Sequence, residues 1–430
     1  MGRNEGAGRD RGPGLTRFTL VCHECGARNA EAPALYVCPS CSRLQEPGGP
    51  TRGVLSVDID AGSLPRAWPA SALSTPEALA QFLPVGSPAS FFGYPVGGTP
   101  LLEVQSLRKR LGMPQLLVKD DTRNPSGSTK DRASLLVVAK AREYGLRTVA
   151  CASTGNAATA LSAVGAAAGI ETIVFVPASA PPAKLVQIAS YGARLVPVDG
   201  SYDQAFELSV EACRRFGWYN RNTALNPYTI EGKKTAALEI ARDMSPEGPD
   251  AVVVPTGDGV IVSGVAKGFR DLVKAGLLPR VPRLVAVQPE GSGPIARALR
   301  NGADGITPEP RAASIADSLV VAAPRNALLA LKEVRSSEGA GVLVSDEAIL
   351  DAIPLLARTT GVFAEPAASA ALAGLLVALE EGLVGRGERV VLVVTGTGLK
   401  DVPAAARRTR IPSPVLPDLE AVAEFLAAPR

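Results

Sequence analysis

Lys130 is the first residue in this chain whose type and place point to chemistry. It ends the loop Asn124-Pro-Ser-Gly-Ser-Thr-Lys130 and opens a helix, with Ser128 expected as the N-cap. A lysine in a first helical turn meets the positive end of the helix dipole. The position suits an amine that is neutral or covalently used, as in a Schiff base. Read locally, an exposed lysine at a helix start explains it as well. Three more loops follow strands and contain small, polar residues. In Ala152-Ser153-Thr154-Gly155-Asn156, backbone N–H groups and hydroxyls converge as a carboxylate would require, and an ordinary N-cap fits equally. In Pro255-Thr256-Gly257-Asp258-Gly259, glycines let the backbone approach a phosphate at a helix start, although one glycine-rich loop is not specific. Val394-Thr395-Gly396-Thr397-Gly398 leaves the most hydrophobic strand and could be a plain strand exit.

A second kind of chemistry lies near the start. Cys22-x-x-Cys25 and Cys38-x-x-Cys41 hold four of the six cysteines. Two residues between thiols let both reach one ion, and a second pair across a hairpin closes a tetrahedral shell. Two disulfides or a redox pair are the alternatives. The expectation is a structural zinc (Zn2+) ribbon whose filled shell leaves no open position for catalysis. Basic residues nearby are few (Arg17, Arg28 and Arg43), so the ribbon is not expected to bind nucleic acid. Cys151 and Cys213 are expected as small core residues.

Composition narrows the rest. The chain has 430 residues, 46% of them apolar, and a formal net charge of +3. A balance so near neutral gives no general case for a nucleic-acid or membrane partner. The single histidine, His23, excludes multi-histidine metal sites and argues against Ser-His or Cys-His catalysis. No stretch reaches the roughly 18–20 apolar residues of a membrane span. The N-terminal residues lack the apolar core of a secretory signal, so a cytoplasmic protein is expected.

These loops need elements to position them. From about residue 101, β-branched runs alternate with helix-length segments, the pattern of parallel sheets covered by helices in the α/β class. Strands are expected over 115–119, 148–152, 172–177, 194–198, 251–255, 284–288 and 390–395. Helices are expected over 131–144, 157–168, 183–191, 202–216, 234–244, 263–275, 346–359, 367–381 and 418–428. In such sheets ligands sit beyond the carboxyl ends of strands, where the four loops fall. The expected organisation is a disordered tail (1–16), the zinc ribbon (17–46) and a wrapping linker (47–100). A large domain (101–134 and 223–410) with a smaller inserted domain (135–222) follows, then a C-terminal helix (411–430).

The four-cysteine knuckle, NPSGSTKDRA, CASTGN, NPYTIEGKKT, GVFAEPAASAALAGL and VTGTGLKD stand in an order that resembles the threonine-synthase branch of the fold-type II pyridoxal-phosphate enzymes, over about residues 20–405. The resemblance implies a two-lobed fold with mixed and parallel sheets, the cofactor pyridoxal 5'-phosphate, an amino-acid substrate and a homodimer. Carried over motif by motif, it makes Lys130 the lysine that holds the cofactor covalently and later the base at the substrate's α-carbon. Asn156 resembles the residue that bonds the cofactor's 3-hydroxyl. Ser153, Thr154 and Gly155 resemble the loop that grips the substrate carboxylate. Gly257, Asp258, Gly259, Val260 and Ile261 occupy the phosphate cup. Thr395 resembles the hydroxyl facing the pyridine nitrogen, which leaves the ring a moderate electron sink suited to elimination and replacement. The implied reaction turns O-phospho-L-homoserine and water into L-threonine and phosphate.

Two residues depart from the pattern. The segment matching NPYTIEG often carries an arginine for the substrate's phosphate, and here that position is Thr229. Losing a guanidinium from a phosphate site should cost about 1.5–3 kcal/mol, unless Arg221, Lys233 or Lys234 compensates. The cup also carries Asp258, whose carboxylate would repel a phosphate. Both leave open a β-replacement enzyme resembling cysteate synthase, acting on phosphoserine or another amino acid. A non-catalytic zinc-ribbon binding protein on the same fold is the third alternative.

Overall fold

The computed structural model describes residues 16–46, 48–180 and 182–427. Apart from Thr16, the N-terminal tail lies outside them. Among the described residues thirteen strands form three sheets: β1 (Phe18–Cys22), β2 (Arg28–Asn29), β3 (Leu55–Ile59), β4 (Leu101–Glu103), β5 (Leu116–Asp120), β6 (Thr148–Ala152), β7 (Glu171–Pro177), β8 (Arg194–Val198), β9 (Tyr219–Asn220), β10 (Ala251–Pro255), β11 (Arg283–Pro289), β12 (Ala340–Val344) and β13 (Val390–Val394). The largest sheet runs β12-β11-β10-β13-β5-β4 and the second β8-β7-β6-β9. All pairs in both are parallel except β4 with β5. A small antiparallel sheet, β2-β1-β3, carries the knuckle. Its third strand comes from the 47–100 segment.

The order of β10 and β13 explains why both read as unbroken apolar runs. Val252, Val254, Val391 and Val393 enter one core cluster, and Ala251, Val253, Val390, Leu392 and Val394 enter the other. Both faces of the sheet are covered, as parallel sheets require. Pro366–Glu380 packs on one side. Lys130–Glu143, Tyr228–Lys233 and Val260–Ala275 fill the other. No helix among the described residues is long and apolar enough to cross a membrane.

Buried charges hold the loop before Lys130. The Arg132 guanidinium donates to both oxygens of Asp121 (2.8 and 2.7 Å) and both of Glu239 (2.7 and 2.8 Å). Lys119 Nζ adds a 2.7 Å contact to Glu239. Burial alone would raise the Glu239 carboxyl, but Arg132 and Lys119 hold it down to about 2. Arg132→Met leaves Asp121 and Glu239 partly unpaired in a fully buried place. It should destabilise the fold by about 3–5 kcal/mol, seen as a lower denaturant midpoint with unchanged slope. A midpoint equal to that of the parent chain would refute the role.

Candidate active site

Lys130 is the first residue of its helix. Thr129, not Ser128, is the N-cap, in helical conformation and without a side-chain cap bond. The hydroxyl of Ser128 is buried with no partner. The expected capping role of Ser128 is therefore corrected: the loop is held by its backbone instead. Thr129 N–H donates to the Thr395 carbonyl at 2.8 Å, and Ser128 pairs with Gly396 in an isolated bridge. The lysine and the end of β13 are thus tied by main chain. Lys130 is partly buried. Burial lowers its amine to about 8, with Glu365 and Asp258 opposing the shift and Arg221 adding to it.

Half of such an amine is neutral, and nucleophilic, at pH about 8. Uptake of pyridoxal phosphate by the stripped protein should therefore quicken as pH rises to about 8 and level off above. An ordinary lysine would go on gaining to about pH 10.4. Absorbance-detected uptake rates on both sides of that value check this, and a rate still rising tenfold per pH unit above it contradicts the lowered basicity.

The Ser153–Asn156 loop follows β6, and Asn156 opens the helix Asn156–Ala168. The Asn156 amide donates to Glu365 Oε1 at 2.8 Å. Glu365 stands at the N-cap position of Pro366–Glu380 yet makes no capping bond. Burial raises its carboxyl, with Asn156 and Lys130 opposing. A glutamate before a helix-opening proline reads from sequence as a dipole partner. Its use across the cleft is what sequence reasoning missed, although its motif had been noticed.

Thr154, Gly155, Asn156, Glu365 and Lys400 line a cleft of about 610 Å³, within the roughly 300–1,000 Å³ usual for small-ligand sites. Lys130, Thr395 and the cup do not line it. Lys130 lies within electrostatic reach of Glu365, which does line it. The cup adjoins it through Ser318, which lines the cleft and whose carbonyl would stand 3.1 Å from a Cβ on Gly257.

The cup leads into Val260–Ala275. Gly259 takes φ +87°, and a Cβ there would meet the Ala330 Cβ at 2.8 Å, so only glycine fits. Asp258 turns toward a neighbouring segment, where its Oδ1 accepts the Arg325 backbone N–H at 2.5 Å. Burial raises its carboxyl, while Arg325, Lys233 and Lys130 oppose the shift. The repulsion that its position threatens is thus partly answered by local cations.

Thr229 is fully buried, and its hydroxyl donates to the Asn226 carbonyl at 2.8 Å. Of the three possible compensators, Lys234 is committed to Glu231 and to Asp271. Arg221 donates to Ser134 Oγ (3.2 Å) and Thr223 Oγ1 (2.7 Å), and its Nη2 has no partner. Lys233 Nζ has none among the described residues. Buried polar atoms without partners cost about 1–3 kcal/mol each, more when charged.

In the knuckle, the four Sγ atoms lie within 4.8 Å of one another, with Cys22–Cys41 at 3.8 Å and Cys25–Cys38 at 3.7 Å. Sulfurs on a tetrahedral zinc with bonds of about 2.3 Å stand about 3.8 Å apart, and all four thiols are free. The donor set fits zinc. Glu31 of the knuckle hairpin meets Lys140 Nζ at 2.7 Å and Tyr144 Oη at 3.1 Å, both in the Lys130 helix or at its end.

Two covered parallel sheets, a lysine of lowered basicity at a helix start and a glycine cup beside it are the arrangement of fold-type II pyridoxal-phosphate enzymes. The model of the family described as pyridoxal-phosphate dependent enzyme matches residues 93–396, and the chain belongs to that family. It is similar over most of its length to threonine synthases. That of Methanosarcina acetivorans is 36% identical over 415 residues, covering 95% of this chain and 98% of the relative. That of Methanocaldococcus jannaschii is 37% identical over 347 residues, covering 80% and 85%. Among solved structures, the processed threonine deaminase isoform 2 of Solanum lycopersicum matches with a TM-score of 0.62 at 21% identity, over 75% of this chain and 92% of that one. This last likeness concerns the fold alone. The family and these relatives make the chain a pyridoxal-phosphate-dependent lyase.

Proposed function

We propose that this lyase converts O-phospho-L-homoserine and water to L-threonine and phosphate. The observation that carries the reading is the convergence of Lys130, the Asn156–Glu365 pair and the glycine cup, in a chain matched almost end to end by a threonine synthase. Pyridoxal phosphate supplies an electron sink for the substrate's α-carbon. The residues present fit it: a lysine of lowered basicity and a loop whose Gly257 and Gly259 leave no room for a Cβ at the start of a helix.

In this reading Lys130 holds the cofactor and moves the proton at the α-carbon. With the cofactor bound, Asn156 would bond its 3-oxygen and Thr395 would offer a hydroxyl to its ring nitrogen. Gly257 to Ile261 present backbone N–H groups to the cofactor phosphate. Ser153, Thr154 and Gly155 take the substrate carboxylate. The knuckle Cys22, Cys25, Cys38 and Cys41 holds a structural zinc. The lobe of β6 to β9, which carries the Ser153–Asn156 loop, closes on the larger lobe and excludes water.

The buried, self-bonded Thr229 favours a second reading, β-replacement on O-phospho-L-serine. Purified enzyme given each substrate, with phosphate release and amino-acid product both followed, separates the two. Threonine from phosphohomoserine is the expected result. Turnover only of phosphoserine with an added nucleophile would replace this assignment with the second.

A further inference from the structure

We infer that Arg221 and Lys233 form the subsite for the substrate's phosphate monoester, replacing the arginine that Thr229 displaces. The inference rests on the reading above and names the part of the site that selects a phosphorylated amino acid.

Lys233 stands four residues after Thr229 in one helical segment, so both lie on the same face. The positive charge missing at one position is restored a turn further on. The segment is pressed between two others. A Cβ on Gly232 would stand 2.3 Å from the Arg132 carbonyl, and one on Gly264 would stand 2.7 Å from the Lys233 Cβ. Gly264 is one turn beyond Val260 at the cup. Ser134, which accepts from Arg221 Nε at 3.2 Å, is one turn beyond Lys130. The two cations therefore lie one turn deeper than the reactive amine and the cup, beside both.

Both cations are fully buried (0% and 1% exposed), and each has a nitrogen without a partner. Unlike Lys234, which has two carboxylates, Lys233 faces the cations Lys130 and Arg221 and the carboxyl of Asp258, and Arg221 faces Cys151, Tyr202 and Asp131. Paired like charges in the interior call for an anion, and a phosphate dianion matches two cations in charge and in donor capacity. The cofactor's own phosphate has the backbone N–H groups of the cup, which leaves this pair for the substrate.

The test uses two titrations on the parent chain and on K233M, R221M and R221K. In the first, O-phospho-L-serine, L-serine and inorganic phosphate are added to cofactor-loaded enzyme and followed by the cofactor's visible absorbance. In the second, pyridoxal phosphate and pyridoxal are added to the stripped chain. K233M and R221M should weaken O-phospho-L-serine and inorganic phosphate at least about tenfold and leave L-serine unchanged. R221K should retain most of the phosphate affinity. Loss confined to pyridoxal phosphate over pyridoxal would give the pair to the cofactor and overturn the substrate assignment. Unchanged phosphate affinity in both titrations would overturn the site altogether. Because Lys233 is buried without a partner, K233M should melt no lower than the parent, and a large drop would mark a structural residue instead. A parent chain that binds no pyridoxal phosphate would sink the proposed function first.

Discussion

Lys130→Ala should lower turnover by at least about 10³-fold, because in the proposed reading one amine serves both as covalent anchor and as base. The visible absorbance of lysine-bound pyridoxal phosphate should vanish with it. Stability should move the other way. The substitution removes a partly buried amine from the positive end of a helix dipole, a place worth about 0.3–1 kcal/mol against a cation, and alanine is the better helix former. The stripped variant should thus melt at or slightly above the stripped parent. Added primary amines should restore part of the rate. A variant that keeps its absorbance and its rate would move the chemistry to another lysine and dissolve the present account of the site.

Removing the proposed zinc from the knuckle should have the largest effect on stability. Metal binding is worth on the order of 10 kcal/mol in small zinc-binding peptides. Three of the four cysteines are buried and belong to the main core cluster. Losing the ion leaves packed thiols in a sheet that also holds β3. The damage should spread. Lys140, 1% exposed, relies on Glu31 of the hairpin and on Glu143, and lies within 5.0–5.6 Å of the rings of Phe18, Tyr144 and Tyr228. Freeing the hairpin strips one carboxylate and one ring from that lysine, and its helix begins at Lys130. Chelation, or Cys38→Ser, should lower the melting temperature by well over the roughly 2–4 °C that 1 kcal/mol brings in domains of moderate size, and should reduce cofactor retention. One zinc per chain by elemental analysis is the companion result. A chain without metal that melts as before would refute the role.

The strands β6, β8 and β10 could be read from sequence to the residue; for β10 (AVVVP) burial along its whole length leaves only one pattern. β4 and β9 could not: two or three residues carry no period, and their pairing with longer neighbours creates them. The helix Tyr228–Lys233 was hidden by Pro227 and Gly232, which locally signal a break. Of the site, the lysine and the glycine loops announced themselves by residue type. Glu365 did not, because its partner is Asn156, far along the chain. The committed state of Lys234 and the unpaired state of Lys233 were equally invisible. Adjacent lysines differ only in which helix face they occupy, and tertiary packing decides which face finds a carboxylate.

The tie between the Thr129 N–H and the Thr395 carbonyl is made by main chain on both sides. The spacing between the reactive amine and the residue proposed to face the ring nitrogen therefore does not depend on the side chain at position 395. In its proposed role that side chain is a tuning screw in a fixed mount. Exchanging it for another small polar group would alter how strongly the ring draws electrons without displacing the amine, so a scaffold of this design can drift between related reactions through one codon.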